Sequence, residues 1–191
     1  MRVGVFALQG DVREHLRTLT SMGVESFEVR NAADLASVDG LILPGGESTT
    51  ISKLIDIFNL RKTLTDFITS GKPVFGTCAG MIMLAKEVLD AASGQRSLEA
   101  MDISVRRNAF GTQLDSFETE LEFDGKLAKV AFIRAPIVER VGPSVEVLSK
   151  LPNGDVVAVR SENLLATAFH PELTGDNSVH EYFVAMVSKS L

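Results

Sequence analysis

Three short apolar runs in the first half of the chain end in glycine-containing loops, and each loop precedes a segment with helical spacing. The runs cover residues 3–8, 40–43 and 73–75. Strands that alternate with helices and are almost entirely apolar are typical of a parallel sheet covered on both faces. The pattern therefore predicts an α/β fold with a parallel central sheet flanked by helices.

The segments between these runs have the apolar spacing of amphipathic helices. Asp11 is placed to cap a helix in which Val12, Leu16 and Leu19 share one face, and Gly23 ends it. Further helices are predicted from residue 48 or 49 to 58, from 60 to 70, from about 79, and from 177 to 188. A second strand is predicted at residues 24–29.

The second half of the chain contains shorter runs that are typical of antiparallel strands. They lie at residues 103–106, 117–123, 129–133, 145–148, 156–160 and 164–169, with turn sequences such as Asp124-Gly125 between them. We expect these strands to be antiparallel additions to the parallel core. Because the chain has no evident linker, repeat or low-complexity tract, residues 1–191 are predicted to form a single domain.

The composition is that of a globular protein with its own core. Hydrophobic residues make up 45% of the 191 residues and charged residues 23%. A formal net charge of −6 argues against broad binding to nucleic acid or anionic membranes. No apolar stretch approaches the roughly 20 residues of a membrane span, and the first residues do not read as a signal peptide. A cytoplasmic location is expected.

Cys78, the one cysteine, lies between Gly76 and Gly80, directly after the apolar run 73–75. A nucleophile between glycines at a strand-to-helix turn is the arrangement of a nucleophile elbow, which exposes the side chain above a sheet. A free cysteine can equally be a small buried apolar residue. A lone cysteine also excludes an intrachain disulfide and a cysteine-rich zinc site, which favours a reducing compartment.

A nucleophilic thiol needs a base, and the chain has three histidines. His15 and His180 lie within helical patterns and are expected to be surface or packing residues. His170 follows the run 164–169, so it is expected where a parallel sheet presents its ligand site. Glu172 lies two residues further on, beyond a rigid proline, and could hold one ring nitrogen. Alone, this segment could also be a strand-end turn with an incidental acid.

Acyl transfer also requires donors for an oxyanion. The amide of Ala79 is the expected first donor, and the glycine pair Gly45-Gly46 at the end of the run 40–43 is placed for the second. The loop lacks the Gly-Lys-Ser/Thr of a phosphate-binding loop, which disfavours a nucleotide site. An ordinary strand-to-helix turn could have the same glycines.

Three motifs together resemble the signatures of class I (triad-type) glutamine amidotransferases, whose fold is flavodoxin-like. They are residues 44–48, 76–80 and 170–172. Residues 7–15, 107–111 and 132–136 narrow the resemblance to glutaminase subunits of pyridoxal 5′-phosphate synthase. The similarity covers essentially the whole chain. Thr112 and Ile137 depart from the basic residue and the histidine that are frequent in that family.

The resemblance implies hydrolysis of L-glutamine to glutamate and ammonia through Cys78, His170 and Glu172 and a γ-glutamyl thioester. It implies no metal and no bound cofactor. The implied partner is a (β/α)₈-barrel synthase subunit in a large hetero-oligomer, and the oxyanion loop is expected to await that partner. The other implied roles are an oxyanion hole of Gly46 and Ala79, substrate binding by Gly46, Glu47, Ser48, Arg106, Ile133 and Arg134, and partner coupling by Gln9.

Three other functions remain open from the residues. The chain could be the glutaminase subunit of another amidotransferase, which only its partner would distinguish. It could be a related cysteine hydrolase or redox protein, although those usually lack the combination of the 44–48 loop and His-x-Glu. A non-catalytic binding module would contain a thiol that reacts no faster than that of a denatured chain.

Overall fold

The computed structural model describes residues 1–109 and 116–191. The first half alternates strands and helices, and its elements are β1 (Arg2–Phe6), α1 (Val12–Ser21), β2 (Glu25–Val29), α2 (Ala32–Ala36), β3 (Gly40–Leu43), α3 (Ser48–Ile57), α4 (Arg61–Thr69), β4 (Val74–Thr77) and α5 (Ala79–Leu84).

The second half consists mainly of strands. Its elements are β5 (Ala85–Val88), β6 (Met101–Arg106), β7 (Ser116–Phe123), β8 (Lys126–Ile133), β9 (Ile137–Val141), β10 (Glu146–Lys150), β11 (Val156–Ser161) and β12 (Leu164–Thr167), followed by a 3₁₀ turn at Pro171–Leu173 and α6 (Ser178–Ser190).

Parallel strands form the centre of the main sheet, in the order β2-β1-β3-β4-β12. The sheet continues through β11, β9, β6 and β5, and β10 pairs with β11. The pairings of β11 with β12, of β9 with β11 and of β6 with β9 are antiparallel. The predicted α/β fold, with a parallel core and antiparallel additions in the second half, is therefore confirmed. The carboxyl ends of β1, β3, β4 and β12 lie at one edge, where such sheets place their sites.

The strands β7 and β8 form a separate hairpin that turns at Asp124-Gly125. Asp124 and Gly125 both have positive φ, at 50° and 75°, which the two-residue connection requires. The hairpin is joined to the main sheet by backbone contacts, since the amide of Asp124 donates to the carbonyl of Leu148 at 3.2 Å. At its other end, β8 reaches the active-site edge of the sheet.

Three short elements were not predicted from the sequence: α2, β5 and β9. The five residues of α2 are too few for a periodic pattern, although Asn31 caps the helix by accepting from the amide of Asp34 at 3.0 Å. The strand β5 follows α5 without an intervening turn. Ile137, one of the two departures from the family pattern, begins β9 and pairs with Arg106. Within residues 1–109 and 116–191, no helix is long and apolar enough to span a membrane.

Candidate active site

The connection from β4 to α5 holds Cys78 in a strained conformation. Cys78 has φ 48° and ψ −100°, and its amide donates to the carbonyl of Thr167 in β12 at 2.8 Å. Positive φ in a residue with a side chain costs about 1–3 kcal/mol, and such strain concentrates at active sites. A Cβ on Gly80 would lie 2.0 Å from the carbonyl oxygen of Leu43, so only glycine fits this turn against β3. This is the geometry of the predicted nucleophile elbow.

His170 is held by β8 and Glu172. Its amide donates to the carbonyl of Ala131 at 2.7 Å, and its Nδ1 lies 2.7 Å from Oε1 of Glu172. Glu172 lies in the 3₁₀ turn that begins at Pro171, and its side chain is fully buried. Because Nδ1 faces Glu172, Nε2 is the ring nitrogen left to face Cys78, and the proximity of this thiol raises the pKa of His170. The three side chains that the sequence predicts as nucleophile, base and orienter are therefore neighbours in the structure.

The buried pair of His170 and Glu172 favours its charged form. Burial alone would lower the pKa of His170, but hydrogen bonds and charges at Cys78 and Glu172 raise it above its ordinary value. Burial opposes ionisation of Glu172, but the neighbouring rings of His15 and His170 lower the pKa of this carboxyl. An imidazolium next to a thiol is the setting that a nucleophilic cysteine requires.

Asp11 also reaches His170, and the sequence did not indicate this role. Its Oδ2 lies 3.4 Å from Nδ1 of His170, so the residue predicted as a helix cap faces the site instead. Burial raises the pKa of the Asp11 carboxyl, although the charge of His170 opposes the shift. Among the described residues, Asp11, His170 and Glu172 form one group with ligand atoms within 4.8 Å of one another. Two of those atoms already form the Nδ1–Oε1 hydrogen bond, as an acid–base pair requires.

A cavity of about 480 Å³ opens above Cys78 and His170. Most of the residues predicted for the site line it, whereas Ala79 and Glu172 are buried beside and behind it. The lining residues are Gln9, Asp11, Gly46, Glu47, Ser48, Cys78, Ile82, Arg107, Asn108, Ile133, Arg134 and His170. A site of this size can hold an amino acid.

The loop between β3 and α3 is fixed at both ends by hydrogen bonds. The carbonyl of Gly45 accepts from the amide of Asp11 at 3.0 Å, and Oε1 of Gln9 accepts from the amide of Glu47 at 2.9 Å. The carboxylate of Glu47 caps α3 by accepting from the amides of Thr49 and Thr50. Burial opposes ionisation of Glu47, but these hydrogen bonds lower its pKa to about 2. The predicted partner-coupling residue, Gln9, therefore contacts the predicted oxyanion loop.

Arg106 does not lie at the cavity, in contrast to its predicted role in substrate binding. Its side chain is paired with Glu139 and half exposed, while the next residue, Arg107, lines the cavity. Nη1 of Arg107 donates to Oε1 of Gln95 at 2.6 Å, and Nε2 of Gln95 donates to Oγ of Ser48 at 3.0 Å. Arg106 is the last residue of β6 and Arg107 begins the bend that follows it, so the two adjacent arginines point to different surroundings.

The segment Phe110, Gly111 and Thr112, which includes the second departure from the family pattern, lies outside the described residues. Its predicted place in the family motif therefore stays a prediction.

Comparison with known proteins extends these observations. Residues 5–189 match the model of the SNO glutamine amidotransferase family. A protein of Dehalococcoides mccartyi named pyridoxal 5′-phosphate synthase subunit PdxT is 57% identical over 97% of each chain. A protein of the same name from Acidothermus cellulolyticus is 55% identical over 98% of this chain and 94% of its own.

Solved structures agree with this relationship. A crystal structure of a glutamine amidotransferase superposes with a TM-score of 0.92 at 45% identity, and the match covers 97% of this chain and 98% of that one. A GMP synthase protein from Thermoplasma acidophilum has a TM-score of 0.67 at 16% identity over 99% and 94% of the two chains, which shows a shared fold. With its fold, its family match and its relatives in agreement, the chain belongs to the SNO glutamine amidotransferase family.

Proposed function

We propose that the chain hydrolyses L-glutamine to L-glutamate and ammonia, with Cys78 as nucleophile, His170 as general acid and base, and Glu172 as orienter. The observation that carries this proposal is the hydrogen bond between His170 Nδ1 and Glu172 Oε1 at 2.7 Å, with Cys78 and His170 lining the same cavity. Family membership supplies the glutamine amidotransferase activity.

The reaction proceeds in two acyl-transfer steps. The thiolate of Cys78 attacks the side-chain carboxamide of glutamine, and the amides of Gly46 and Ala79 stabilise the oxyanion. His170 protonates the leaving ammonia, which collapses the intermediate to a γ-glutamyl thioester. It then takes a proton from water, which attacks the thioester and releases glutamate. Glu172 stays ionised throughout and holds the ring.

Recognition of the amino-acid end of glutamine uses residues that line the cavity beside the triad. We assign the substrate α-carboxylate to a guanidinium among them, because the planar fork of arginine matches a carboxylate. Arg107 is the better candidate than Arg106, since it lines the cavity and Gln95 holds its Nη1. Glu47, Ser48, Ile133 and Arg134 line the same space and complete the proposed substrate site.

Arg107→Ala and Arg106→Ala form a matched pair that tests this assignment. Loss of a charge-assisted hydrogen bond costs about 1.5–3 kcal/mol, so Arg107→Ala should raise the KM for glutamine roughly 10- to 100-fold. Arg106→Ala should leave the KM within about twofold, because an exposed ion pair contributes little. Steady-state glutaminase kinetics would measure both values. If only Arg106→Ala raised the KM strongly, Arg106 and not Arg107 would bind the α-carboxylate.

The chain acts as the ammonia-supplying glutaminase subunit of pyridoxal 5′-phosphate synthase, a proposal supported by its family and by relatives that are named as subunits of that synthase. Free ammonia is protonated in water and lost as a nucleophile, so the reaction is useful only beside an acceptor. Its partner is a (β/α)₈-barrel synthase subunit in a large hetero-oligomer. The enzyme acts as one domain over residues 1–191 in the cytoplasm, where a reducing environment keeps the Cys78 thiol free.

Partner binding is expected to activate the glutaminase through the loop at Gly45-Gly46. Gln9 contacts this loop through the amide of Glu47, which gives docking a route to the oxyanion donor Gly46. Ordering one oxyanion donor can raise kcat by up to roughly 10²-fold. Gln9→Leu removes the acceptor for the Glu47 amide and should reduce this stimulation.

The test measures release of ammonia and glutamate from glutamine with and without a pyridoxal 5′-phosphate synthase barrel subunit. Release that the barrel protein stimulates supports both the activity and the acceptor. Equal turnover with and without it would reject the activation. Turnover that responds only to a different synthase would support the glutaminase activity but reject pyridoxal 5′-phosphate synthase as the ammonia acceptor.

A further inference from the structure

Two buried histidines lie beneath the triad, and the proposed mechanism does not use them. His15 in α1 and His180 in α6 are 165 positions apart, yet both are 0% exposed and meet with 2.9 Å between Nδ1 of His15 and Nε2 of His180. Phe75 packs against both rings, with centroid distances of 6.4 and 5.9 Å. The two rings are therefore part of the core directly behind the site.

His15 contacts both halves of the triad. Its Nε2 lies 3.2 Å from Oγ1 of Thr77, the residue before the nucleophile, and 3.6 Å from Oε1 of Glu172. The same carboxylate oxygen accepts from Nδ1 of His170 at 2.7 Å. One ring nitrogen thus faces the end of β4 and the carboxylate that orients the base.

The contacts select one tautomer for each ring. If His180 donates from Nε2 to Nδ1 of His15, then His15 carries its proton on Nε2, where Oγ1 of Thr77 accepts it and Oε1 of Glu172 lies 3.6 Å away. The opposite arrangement would point a lone pair of His15 at a carboxylate. It would also put a proton on Nδ1 of His180, a buried atom for which the described residues provide no hydrogen-bond partner. A buried donor without an acceptor is costly.

Both rings are neutral in this arrangement. Burial lowers the pKa of His15, and burial lowers the pKa of His180 to about 3. A neutral pair places the N–H dipole of His15 within 3.6 Å of the carboxylate without adding a positive charge that would compete with His170. The buried charge is then shared between one carboxylate and one imidazolium.

On the basis of the proposed function, we propose that His15 is a positioning residue of the triad. Through its Nε2–H it keeps Glu172 and the turn that carries Cys78 in their relative positions, and His180 fixes the tautomer of His15. Glu172 needs such support, because the described residues offer no hydrogen-bond partner to its buried Oε2 and His170 contacts only Oε1. Misplacement of a catalytic group by a fraction of an ångström is enough to reduce turnover.

His15→Leu and His15→Gln separate positioning from packing. Leucine fills much of the volume and removes the N–H, whereas glutamine keeps a neutral donor near the position of Nε2. We expect His15→Leu to lower kcat roughly tenfold with an unchanged KM, and His15→Gln to recover most of the loss. Leu19→Val, a change at a fully buried residue of the same helix, serves as the packing control. The control should lower thermal stability and leave kcat unchanged.

The wild-type protein provides a measurement that needs no variant. Long-range nitrogen–proton NMR correlations of ¹⁵N-histidine-labelled protein should assign the Nε2–H tautomer to both His15 and His180 at neutral pH. An Nδ1–H or doubly protonated His15 would overturn the proposal, as would equal loss of kcat in His15→Leu and His15→Gln. If the wild type showed no glutaminase activity with its partner, the proposed function would fail, while the tautomers would still decide the arrangement of the two histidines.

Discussion

Replacement of Cys78 by alanine lowers glutaminase kcat by about 10⁴-fold or more, the scale on which other enzymes lose activity when their nucleophile is removed. Without the thiol, no thioester can form, and the oxyanion donors can only assist direct attack by water. The measurement is ammonia release at saturating glutamine in the presence of the synthase partner. Glutamine binding, followed by calorimetry on the same variant, should persist because the cavity wall is unchanged.

The strained backbone of Cys78 supplies a control for this result. Cys78→Gly also removes the thiol but tolerates φ 48° without strain, so it should be inactive and unfold at a temperature no lower than Cys78→Ala. Both variants should therefore be folded and inactive. Substantial turnover by either variant would mean that Cys78 is not the nucleophile.

Gly45→Ala is expected to lower kcat by about 10³-fold, because it displaces the general base. A Cβ on Gly45 would lie 2.3 Å from Cε1 and 2.9 Å from Nδ1 of His170, and 2.9 Å from Oδ2 of Asp11. The ring cannot yield easily, since Glu172 holds Nδ1 on that side. The measurement is again steady-state ammonia release, with reactivity of the Cys78 thiol toward an alkylating agent as a second readout.

Gly142→Ala provides the matched control for this steric effect. A Cβ there would lie 2.1 Å from Oδ2 of Asp102, but Gly142 follows β9 at the end of the sheet opposite the pairing of Arg106 with Ile137. The control variant should lose stability and keep its kcat. If Gly45→Ala retained full activity, the position of His170 would not depend on the loop, and the close approach of Gly45 to His170 would not contribute to catalysis.

The fold and the three motifs could be predicted because each depends on local sequence. A strand that ends in glycines and a nucleophile produces an elbow wherever it lies in the sheet, and His-x-Glu brings base and orienter together within three residues. The role of Arg106 was implied by the family resemblance, and the structure pairs Arg106 with Glu139 and places Arg107 at the cavity. The sequence does not specify which residue faces inward where a strand ends, and one step in register exchanges the two sides.

Contacts between distant segments could not be predicted. Asp11 has the local sequence pattern of a helix cap, and only the approach of β12 to β1 through the intervening strands shows that it faces His170. His15 and His180 each match an ordinary helical pattern. Their pairing depends on how α1 and α6 pack against each other. No local pattern in a single sequence indicates that packing.

The position of β12 in the sheet has a consequence for how the protein is made. This strand pairs with β4, so that Leu164 lies beside Val74 and Thr167 beside Thr77, yet it is the last strand in the chain. While the ribosome synthesises the residues between them, the central strand β4 has one open, apolar edge. Pairings across such long separations form slowly, and exposed edges invite aggregation. The nascent chain therefore exposes this edge until residues 164–167 have been made, and chaperones that bind during this interval should matter for its yield.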